Sequence, residues 1–221
     1  MLLLALDTAT PAVTVAVHDG ERPRAESTVV TRGGQQGELL APGIARVLRD
    51  AGAAPADLTA IAVGVGPGPF TGLRVGLVTA RTMGDALGIP VHGGCTLDVL
   101  AWASGLAEPF LVATDARRRE VYWARYADAR TRTTDPAVGV PADVATSEPV
   151  VGQGAALYPE AFPAAREPVH ASAAALAELV VHRLAAGEPL LDPLPLYLRR
   201  PDARTPGPRK RVLPADHPAP A

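Results

Sequence analysis

The stretch Val63–Gly76, VGVGPGPFTGLRVG, decides the fold because it joins an apolar run to a helix-forming segment. The preceding run, Leu58–Val63, has no polar alternation, as is typical of a strand covered on both faces. The following segment, Leu73–Leu87, has the length and residue content of a helix and stops before Gly88. Glycines allow the loop between them to take positive φ and to approach other backbone closely, and its prolines stiffen it. The pattern predicts a strand, a tight loop and a helix.

The loop matches neither common nucleotide-binding motif. A Walker-type phosphate loop needs a lysine and a hydroxyl after its last glycine, where this chain has Leu73 and Arg74. The dinucleotide motif GxGxxG would place its third glycine at Pro69. A loop of this kind still aims backbone N–H groups at a helix N-terminus. Two interpretations therefore stay open at this point, a tight turn that binds nothing and a site for an anion or a partner's carbonyl group.

The composition is that of a globular protein of 221 residues, 48% hydrophobic and 20% charged. A net charge of -2 leaves no basic footprint, so the chain is not expected to hold nucleic acid alone by neutralising phosphates. The single cysteine, Cys95, excludes an intrachain disulfide. The apolar N-terminus is interrupted at Asp7 and no basic segment precedes it, which argues against a signal peptide or a membrane span. We expect a cytoplasmic protein.

The N-terminal third predicts three antiparallel strands followed by a helix. The strands are expected at residues 2–6, 12–18 and 24–31, with turn residues between them. Residues 36–51 form an amphipathic pattern. Because proline is tolerated only near a helix start, Pro42 predicts a beginning nearer Leu39 or a kink. A short strand at 90–92 and a helix at 97–104 complete the predicted order β-β-β-α-β-α-β-α.

A second lobe is predicted to begin after Pro109 and to repeat this architecture. Strands at residues 110–114 and 120–126 flank a charged turn, as the first two strands flank a turn of their own. Ser172 is predicted to cap a last helix that ends at Ala186. The predicted units are an N-terminal lobe at residues 1–106, a C-terminal lobe at 107–200 and a proline-rich disordered tail at 201–221.

Small residues recur every four positions along the helix after the loop, at Gly76, Ala80 and Gly84. Such a stripe lets another backbone approach closely. It fits packing on the lobe's own sheet and it also fits a subunit contact, and the residues alone leave both interpretations open.

Four segments together resemble one protein family in order and spacing. They are LDTAT at residues 6–10, GPGPFTGLRVG at 66–76, DARRREVY at 115–122 and PLYLR at 195–199. The family is the bacterial TsaB family, also called YeaZ, a subunit of the machinery that makes threonylcarbamoyladenosine in tRNA. The resemblance runs over residues 1–200, and the glycine-proline segment is its most specific part.

The resemblance implies an α/β fold of the actin, Hsp70 and sugar-kinase type, with two duplicated RNase-H-like lobes and mixed sheets. It also implies a non-catalytic subunit that dimerises with the related catalytic subunit TsaD through helices of the N-terminal lobe, joined by the P-loop ATPase TsaE. On that analogy the pairing surface is expected to contain Leu40, Ile44, Val47, Arg74, Gly76, Ala80 and Gly84. The resemblance also implies that tRNA is contacted only through the complex and that no cofactor is bound tightly. It leaves open whether the chain alone is a homodimer or a monomer and whether ATP or ADP binds at the subunit boundary.

The catalytic relatives hold a metal through two histidines four apart on a helix, a spacing that puts both imidazoles on one face. The corresponding stretch here, Thr96–Leu100, has no histidine, and Gln36 replaces the family's usual histidine at the start of the first helix. We therefore expect no metal site and no catalytic residue.

Nucleotide hydrolysis in the wider fold uses an Asp-x-Gly-Thr hairpin, in which the glycine lets the backbone approach the phosphates. This chain has Ala9 at the glycine position. A vestigial nucleotide loop would comprise Asp7, Thr8, Thr10, Gly66 and Gly68, whereas Asp7 also fits a simple cap of the hairpin turn. The alternatives to a pairing subunit are a stand-alone ATP-dependent kinase or ATPase of the same fold and a metallopeptidase.

The charged turn Arg117–Arg119 of the second lobe is typical of a solvated turn. A contact to RNA or to an acidic partner surface is the other interpretation of these arginines.

Overall fold

The structure is a computed structural model that describes residues 1–31 and 34–199. The predicted disordered tail at 201–221 lies outside the described residues. The elements of the first half are β1 Leu3–Asp7, β2 Ala12–His18, β3 Pro23–Val30, α1 Gln36–Asp50, β4 Ala60–Gly66, α2 Phe70–Leu87, β5 Val91–Cys95 and α3 Thr96–Ser104. Those of the second half are β6 Phe110–Asp115, β7 Val121–Asp128, β8 Thr131–Arg132, β9 Ala137–Gly139, β10 Val150–Val151, α4 Gln153–Leu157, β11 Ala165–Arg166 and α5 Ala173–Ala186.

The two sheets of the described chain have the same strand order. The first sheet runs β3-β2-β1-β4-β5, with β1 antiparallel to β2 and parallel to β4. Written in the same direction, the second sheet runs β8-β7-β6-β10-β11, with β6 antiparallel to β7 and parallel to β10. Strand β9 also pairs with β7. The first strand of each sheet ends in an aspartate whose Oδ1 accepts the N–H two residues on, Asp7 from Ala9 and Asp115 from Arg117. This repetition confirms the predicted duplicated, two-lobed fold.

The glycine motif begins inside a strand rather than after it. β4 continues to Gly66, three residues beyond the predicted end, and α2 already starts at Phe70. Strand pairing explains the difference, because β4 lies between β1 and β5 and hydrogen bonds through its glycines to β5. Tertiary pairing here overrides the weak strand propensity of glycine.

Helix α1 begins at Gln36, so the prediction of a start nearer Leu39 is wrong. Pro42 lies in the second turn on the exposed face of the helix. Its ring nitrogen cannot donate to the carbonyl of Glu38, and Glu38 is itself an exposed residue. Burial of Leu40, Ile44, Val47 and Leu48 on the opposite face holds the helix in place.

Helix α5, which lies within the predicted C-terminal lobe of 107–200, packs on the sheet of the first lobe. The bounds of the lobes stay a prediction. The predicted cap is confirmed, because the Ser172 hydroxyl accepts the Ala175 N–H at 3.2 Å. The Ala173 N–H donates to the hydroxyl of Thr14 on β2, and α5 packs on β1, β2 and β3. Further along, Leu196 N–H donates to the carbonyl of Val65. Hydrophobic burial causes this return, since the apolar residues of α5 share one core with both sheets.

Within the described ranges, no helix is both long and apolar enough to cross a bilayer.

Candidate functional site

The hairpin turn between β1 and β2 lies directly against the glycine loop. A Cβ on Gly64 would lie 2.0 Å from Oδ2 of Asp7, and a Cβ on Gly68 would lie 2.2 Å from the carbonyl oxygen of Ala9. These separations are too short for any side chain. The glycines are therefore required by contact with the chain's own backbone and side chains, which favours the interpretation of a tight internal turn.

The threonines of the predicted nucleotide loop are hydrogen bonded within the chain. The Thr8 hydroxyl donates to the carbonyl of Gly72 at 2.7 Å, and a Cβ on Gly76 would lie 2.6 Å from the same hydroxyl oxygen. The Thr10 hydroxyl accepts the N–H of Ala12 at 3.2 Å. The predicted loop residues are thus brought together, and both hydroxyls bind groups of the protein itself.

Gly66, the remaining glycine predicted for that loop, has φ of 96°. A Cβ there would lie 2.8 Å from the side chain of Leu73 on α2. Both observations require glycine for internal packing. Binding of a nucleotide by this loop stays a prediction.

Asp7 is fully buried at the centre of this arrangement. Its Oδ1 accepts the Ala9 N–H at 2.7 Å, and its Oδ2 accepts the Thr96 hydroxyl at 2.8 Å. Burial raises the pKa of the Asp7 carboxyl, although both hydrogen bonds act in the opposite direction. The carboxyl therefore joins β1 to the start of α3.

We expect an Asp7→Asn variant to be more stable than the native protein at pH 7, by about 1 kcal/mol. The pKa of the Asp7 carboxyl is raised in the folded protein. Its contribution to the free energy of unfolding is therefore complete when the pH is below the ordinary pKa of an aspartate, and it is lost as the pH rises through the folded pKa. The asparagine keeps an acceptor for Ala9 and a hydrogen-bonding group for Thr96 without a charge. Urea unfolding between about pH 4 and pH 8 measures this difference.

The exposed aspartate Asp85 on α2 provides the matched control, and Asp85→Asn should leave the pH dependence of unfolding as it is in the native protein. An Asp7→Asn variant that loses stability with rising pH as the native protein does would contradict the assignment to Asp7.

Most residues predicted for a pairing surface are buried in the chain's own first lobe. The buried residues are Leu40, Ile44, Val47, Gly76, Ala80 and Gly84. A Cβ on Gly84 would lie 2.3 Å from Val91 of β5, so the small-residue stripe of α2 packs on the lobe's own sheet. Their burial agrees with the rule that an amphipathic helix buries its apolar face in its own core. Their part in pairing stays a prediction. Arg74 is exposed, and its part in pairing stays a prediction.

The outer face of α2 carries a ridge of exposed residues at four-residue spacing, which we call the α2 ridge: Phe70, Arg74 and Val78. Phe70 is 44% and Val78 is 60% exposed. The Arg74 guanidinium lies 4.7 Å from the Phe70 ring centroid, and Tyr197 stacks on the same ring at 5.4 Å. The ridge borders an open cleft of about 550 Å³ that Gly37 at the start of α1 also lines. The helical spacing of these residues was the signal that sequence reasoning missed.

An ionic cluster around the buried carboxylate of Asp98 joins α3, β7, β8 and α5, and its two arginines are partly exposed. Both carboxylate oxygens of Asp98 lie within 3.1 Å of one Arg132 nitrogen, and Arg183 lies 3.6 Å from Oδ2. The Tyr126 hydroxyl donates to Oδ1 at 2.8 Å. Desolvation raises the pKa of Tyr126, with Asp98 contributing, and it raises the pKa of the buried Cys95 thiol to about 12. Cys95 is therefore an inert structural thiol.

This cluster borders a cavity of about 590 Å³. The lining of the cavity contains three basic and three acidic residues: Arg130, Arg132 and Arg183, and Asp98, Asp135 and Glu188. Sequence reasoning missed the cluster because its members are far apart in the chain and follow no motif. Its contacts identify it as a joint between the lobes.

The charged turn of the second lobe has an unusual backbone. Arg117, Arg118 and Arg119 have φ of 61°, 56° and 61°, the left-handed region in which a Cβ costs about 1–2 kcal/mol per residue. Asp115 pairs with Arg117 at 3.3 Å, and the Arg117 side chain is 57% exposed. The remaining two arginines are exposed as well.

Among residues 1–31 and 34–199, no three His, Cys, Asp or Glu side chains converge in a manner suited to a metal ion. His18 accepts the Gly20 N–H through Nδ1, and desolvation lowers the pKa of His92 and of His170.

Comparisons with known proteins agree with this architecture. Residues 35–203 match the family model described as TsaD: tRNA N6-adenosine threonylcarbamoyltransferase. The solved structure of YeaZ from Pseudomonas aeruginosa superposes with a TM-score of 0.76 and 30% identity, covering 89% of this chain and 100% of that one. An uncharacterised protein of Mycobacterium tuberculosis is 45% identical over 210 residues, 91% of this chain and 93% of that protein.

Curated relatives named for a biosynthetic role match over a shorter length. The tRNA threonylcarbamoyladenosine biosynthesis protein TsaB of Escherichia coli is 36% identical over 129 residues, which cover 57% of this chain and 55% of that protein. The protein of the same name from Bacillus subtilis is 32% identical over 130 residues. Together with the YeaZ match over the whole of that chain, these similarities show that this chain belongs to the TsaB/YeaZ family.

Proposed function

We propose that this chain acts in the biosynthesis of threonylcarbamoyladenosine in tRNA as a non-catalytic subunit that pairs with the catalytic TsaD subunit and activates it. The relatives from Escherichia coli and Bacillus subtilis are named for this pathway. The single observation that carries the pairing is the α2 ridge, because three neighbouring side chains, two of them apolar, point away from a fully packed core. TsaE is the expected third member of the complex.

The relation between this chain and its partner supports the choice of surface. The match to the TsaD model over residues 35–203 includes α1 and α2, so the partner is expected to contain an equivalent helix pair. Two related helix pairs can pack about a pseudo-twofold axis, as the identical surfaces of a homodimer do. A homodimer through the same ridge would then form when the catalytic subunit is absent, and ATP or ADP would lie at the subunit boundary.

The internal arrangement of the hairpin supports a non-catalytic role. Asp7 binds Ala9 and Thr96, and the Thr8 hydroxyl binds Gly72. In the described part of the chain no observation favours the alternative of a stand-alone kinase, and none favours the metallopeptidase. A subunit without catalytic groups can still activate a partner if it binds the partner's competent conformation more tightly than the others. The expected place of action is the cytoplasm.

Replacing Val78 by glutamate should weaken pairing with the catalytic subunit about fiftyfold, because a charge would be buried at the centre of the contact. Val78 is 60% exposed, so the fold should tolerate the change. Gel filtration and calorimetry of the two purified subunits measure the effect.

Leu184→Glu is the matched control, since Leu184 is an aliphatic side chain 39% exposed on α5, away from the ridge. It should pair as the native chain does. Native pairing by Val78→Glu would exclude the α2 ridge, and ATP hydrolysis by the isolated native chain would favour the kinase alternative instead.

A further inference from the structure

The turn between β6 and β7 places arginine where glycine would be expected. Three consecutive residues, Arg117, Arg118 and Arg119, take positive φ, a region that glycine adopts without strain. Strained backbone of this kind persists only where surrounding contacts hold it, and it clusters at functional sites. The arginine side chains must therefore supply something that glycine would not, and their common property is exposed positive charge.

Contacts on both sides hold the turn in this conformation. The Asp115 carboxylate accepts the Arg117 N–H at 2.8 Å, and the Glu120 N–H donates to the Arg117 carbonyl at 3.0 Å. Arg199, near the end of the described chain, donates to the Ala116 carbonyl at 2.8 Å and pairs with Glu120. The turn is thus a preorganised support for three guanidinium groups. Preorganisation lowers the entropic cost of binding.

An apolar cleft lies next to this turn. Arg119 lines an open cleft of about 850 Å³ together with Val140, Leu157, Tyr158 and the acidic Glu160. Val140 is 44% and Leu157 is 45% exposed, so the cleft presents apolar surface to water. Its volume falls in the range of small-molecule pockets, which is ample for a nucleobase.

We propose that the turn Arg117–Arg119 and this cleft bind a single-stranded stretch of the RNA substrate. The guanidinium groups would contact phosphates, with which their planar fork forms paired hydrogen bonds. A base of the same strand would enter the cleft beside Tyr158, as unstacked bases do on aromatic and apolar surfaces. Positive charge beside a base-sized apolar cleft favours RNA over an acidic protein segment, which has no need of the cleft. This inference rests on the proposed function for the identity of the RNA.

The net charge of -2 makes this contact an auxiliary one within the complex. The test therefore uses the full chain bound to its catalytic subunit, with a fluorescently labelled RNA hairpin that carries an anticodon stem and loop. Fluorescence anisotropy over a range of salt concentrations measures affinity and its salt dependence.

The double variant Arg118→Gly with Arg119→Gly removes two positive charges and also removes the backbone strain of positive φ at these two positions. RNA affinity should fall about 25-fold at about 0.1 M salt, and the slope of log affinity against log salt should decrease by about 1.4. The melting temperature of the isolated variant should rise by about 2–6 °C, because glycine takes positive φ without strain. The opposite directions of these two changes separate an RNA contact from a structural role.

Three further variants complete the experiment. Arg118→Lys with Arg119→Lys should retain the salt slope, and Leu157→Ser should weaken binding about threefold with the slope unchanged. Arg22→Gln, an exposed arginine on a turn of the first lobe, should bind RNA as the native chain does.

Unchanged RNA affinity and salt slope in the double glycine variant would overturn the proposal. An oligoglutamate peptide is tested as a competitor. If it displaces the RNA from the native chain and binds the double glycine variant less tightly, the turn is assigned to an acidic protein, which also overturns the proposal. Gel filtration of the same samples reports pairing with the catalytic subunit independently. A complex that assembles without this RNA contact therefore refutes this inference alone, whereas failure of the native chains to pair refutes the proposed function.

Discussion

A Gly64→Ala variant is expected to lose about 3–5 kcal/mol of its free energy of unfolding. The new methyl group would lie 2.0 Å from Oδ2 of Asp7, a carboxyl that is fully buried and hydrogen bonded to Ala9 and Thr96. To make room, Asp7 must move and break these bonds in a core without free space, which adds the cost of unsatisfied polar groups to that of overpacking. The midpoint of urea unfolding measures the loss.

Gly37→Ala is the matched control for this substitution. A Cβ on Gly37 would have no atom within 4 Å, and Gly37 lies in the first turn of α1. Alanine favours the helix over glycine by up to about 1 kcal/mol, so this variant should be at least as stable as the native protein. If both variants unfolded at the native midpoint, the glycine loop would not lie against the hairpin turn as described.

An Asp98→Ala variant is expected to lose about 3 kcal/mol. The substitution leaves Arg132 and Arg183 without their shared carboxylate and removes the acceptor of the Tyr126 hydroxyl. Asp98 is buried whereas its two arginine partners are partly exposed. Removing the carboxylate costs more than the pairs themselves contribute, because the arginine charges remain without a partner. Urea unfolding followed by far-UV circular dichroism measures this loss.

Two comparisons make the Asp98 result specific. Asp50→Ala breaks the exposed Arg46–Asp50 pair at 3.5 Å, and because such pairs contribute little it should cost no more than about 0.5 kcal/mol. Asp98→Leu combined with Arg132→Leu removes opposite charges together and should recover part of the loss. A loss from Asp98→Ala as small as that from Asp50→Ala would show that the cluster does not hold the lobes together.

The local elements could be predicted from the sequence because their signals are local. The Ser172 cap of α5 and the glycine after α2 act through bonds within a few residues, and both occur as predicted. The repeated strand, aspartate and turn pattern also identified the duplication, because an aspartate that binds the N–H two residues on needs no distant partner.

The candidate site could be predicted only in part. The sequence identified α1 and α2 as the helices of interest, and the residues that it named on them, apart from Arg74, lie on their buried faces. Apolar periodicity indicates which residues share a face of a helix, but it does not indicate what covers that face. The sheet covers Ala80, while the exposed ridge lies on the side of Val78, two positions away.

The amino-acid sequence by itself determined the main helices, the leading strands of each lobe and the duplication of the lobes, since these depend on local backbone conformation and on hydrophobic pattern. Only the tertiary structure decided that α5 returns to the first sheet, that Asp98 meets Arg132 from 34 residues away, and that the Arg117–Arg119 turn lies beside an apolar cleft. These contacts join residues that are distant in the chain, and burial of the shared core selects them. No local pattern encodes that selection.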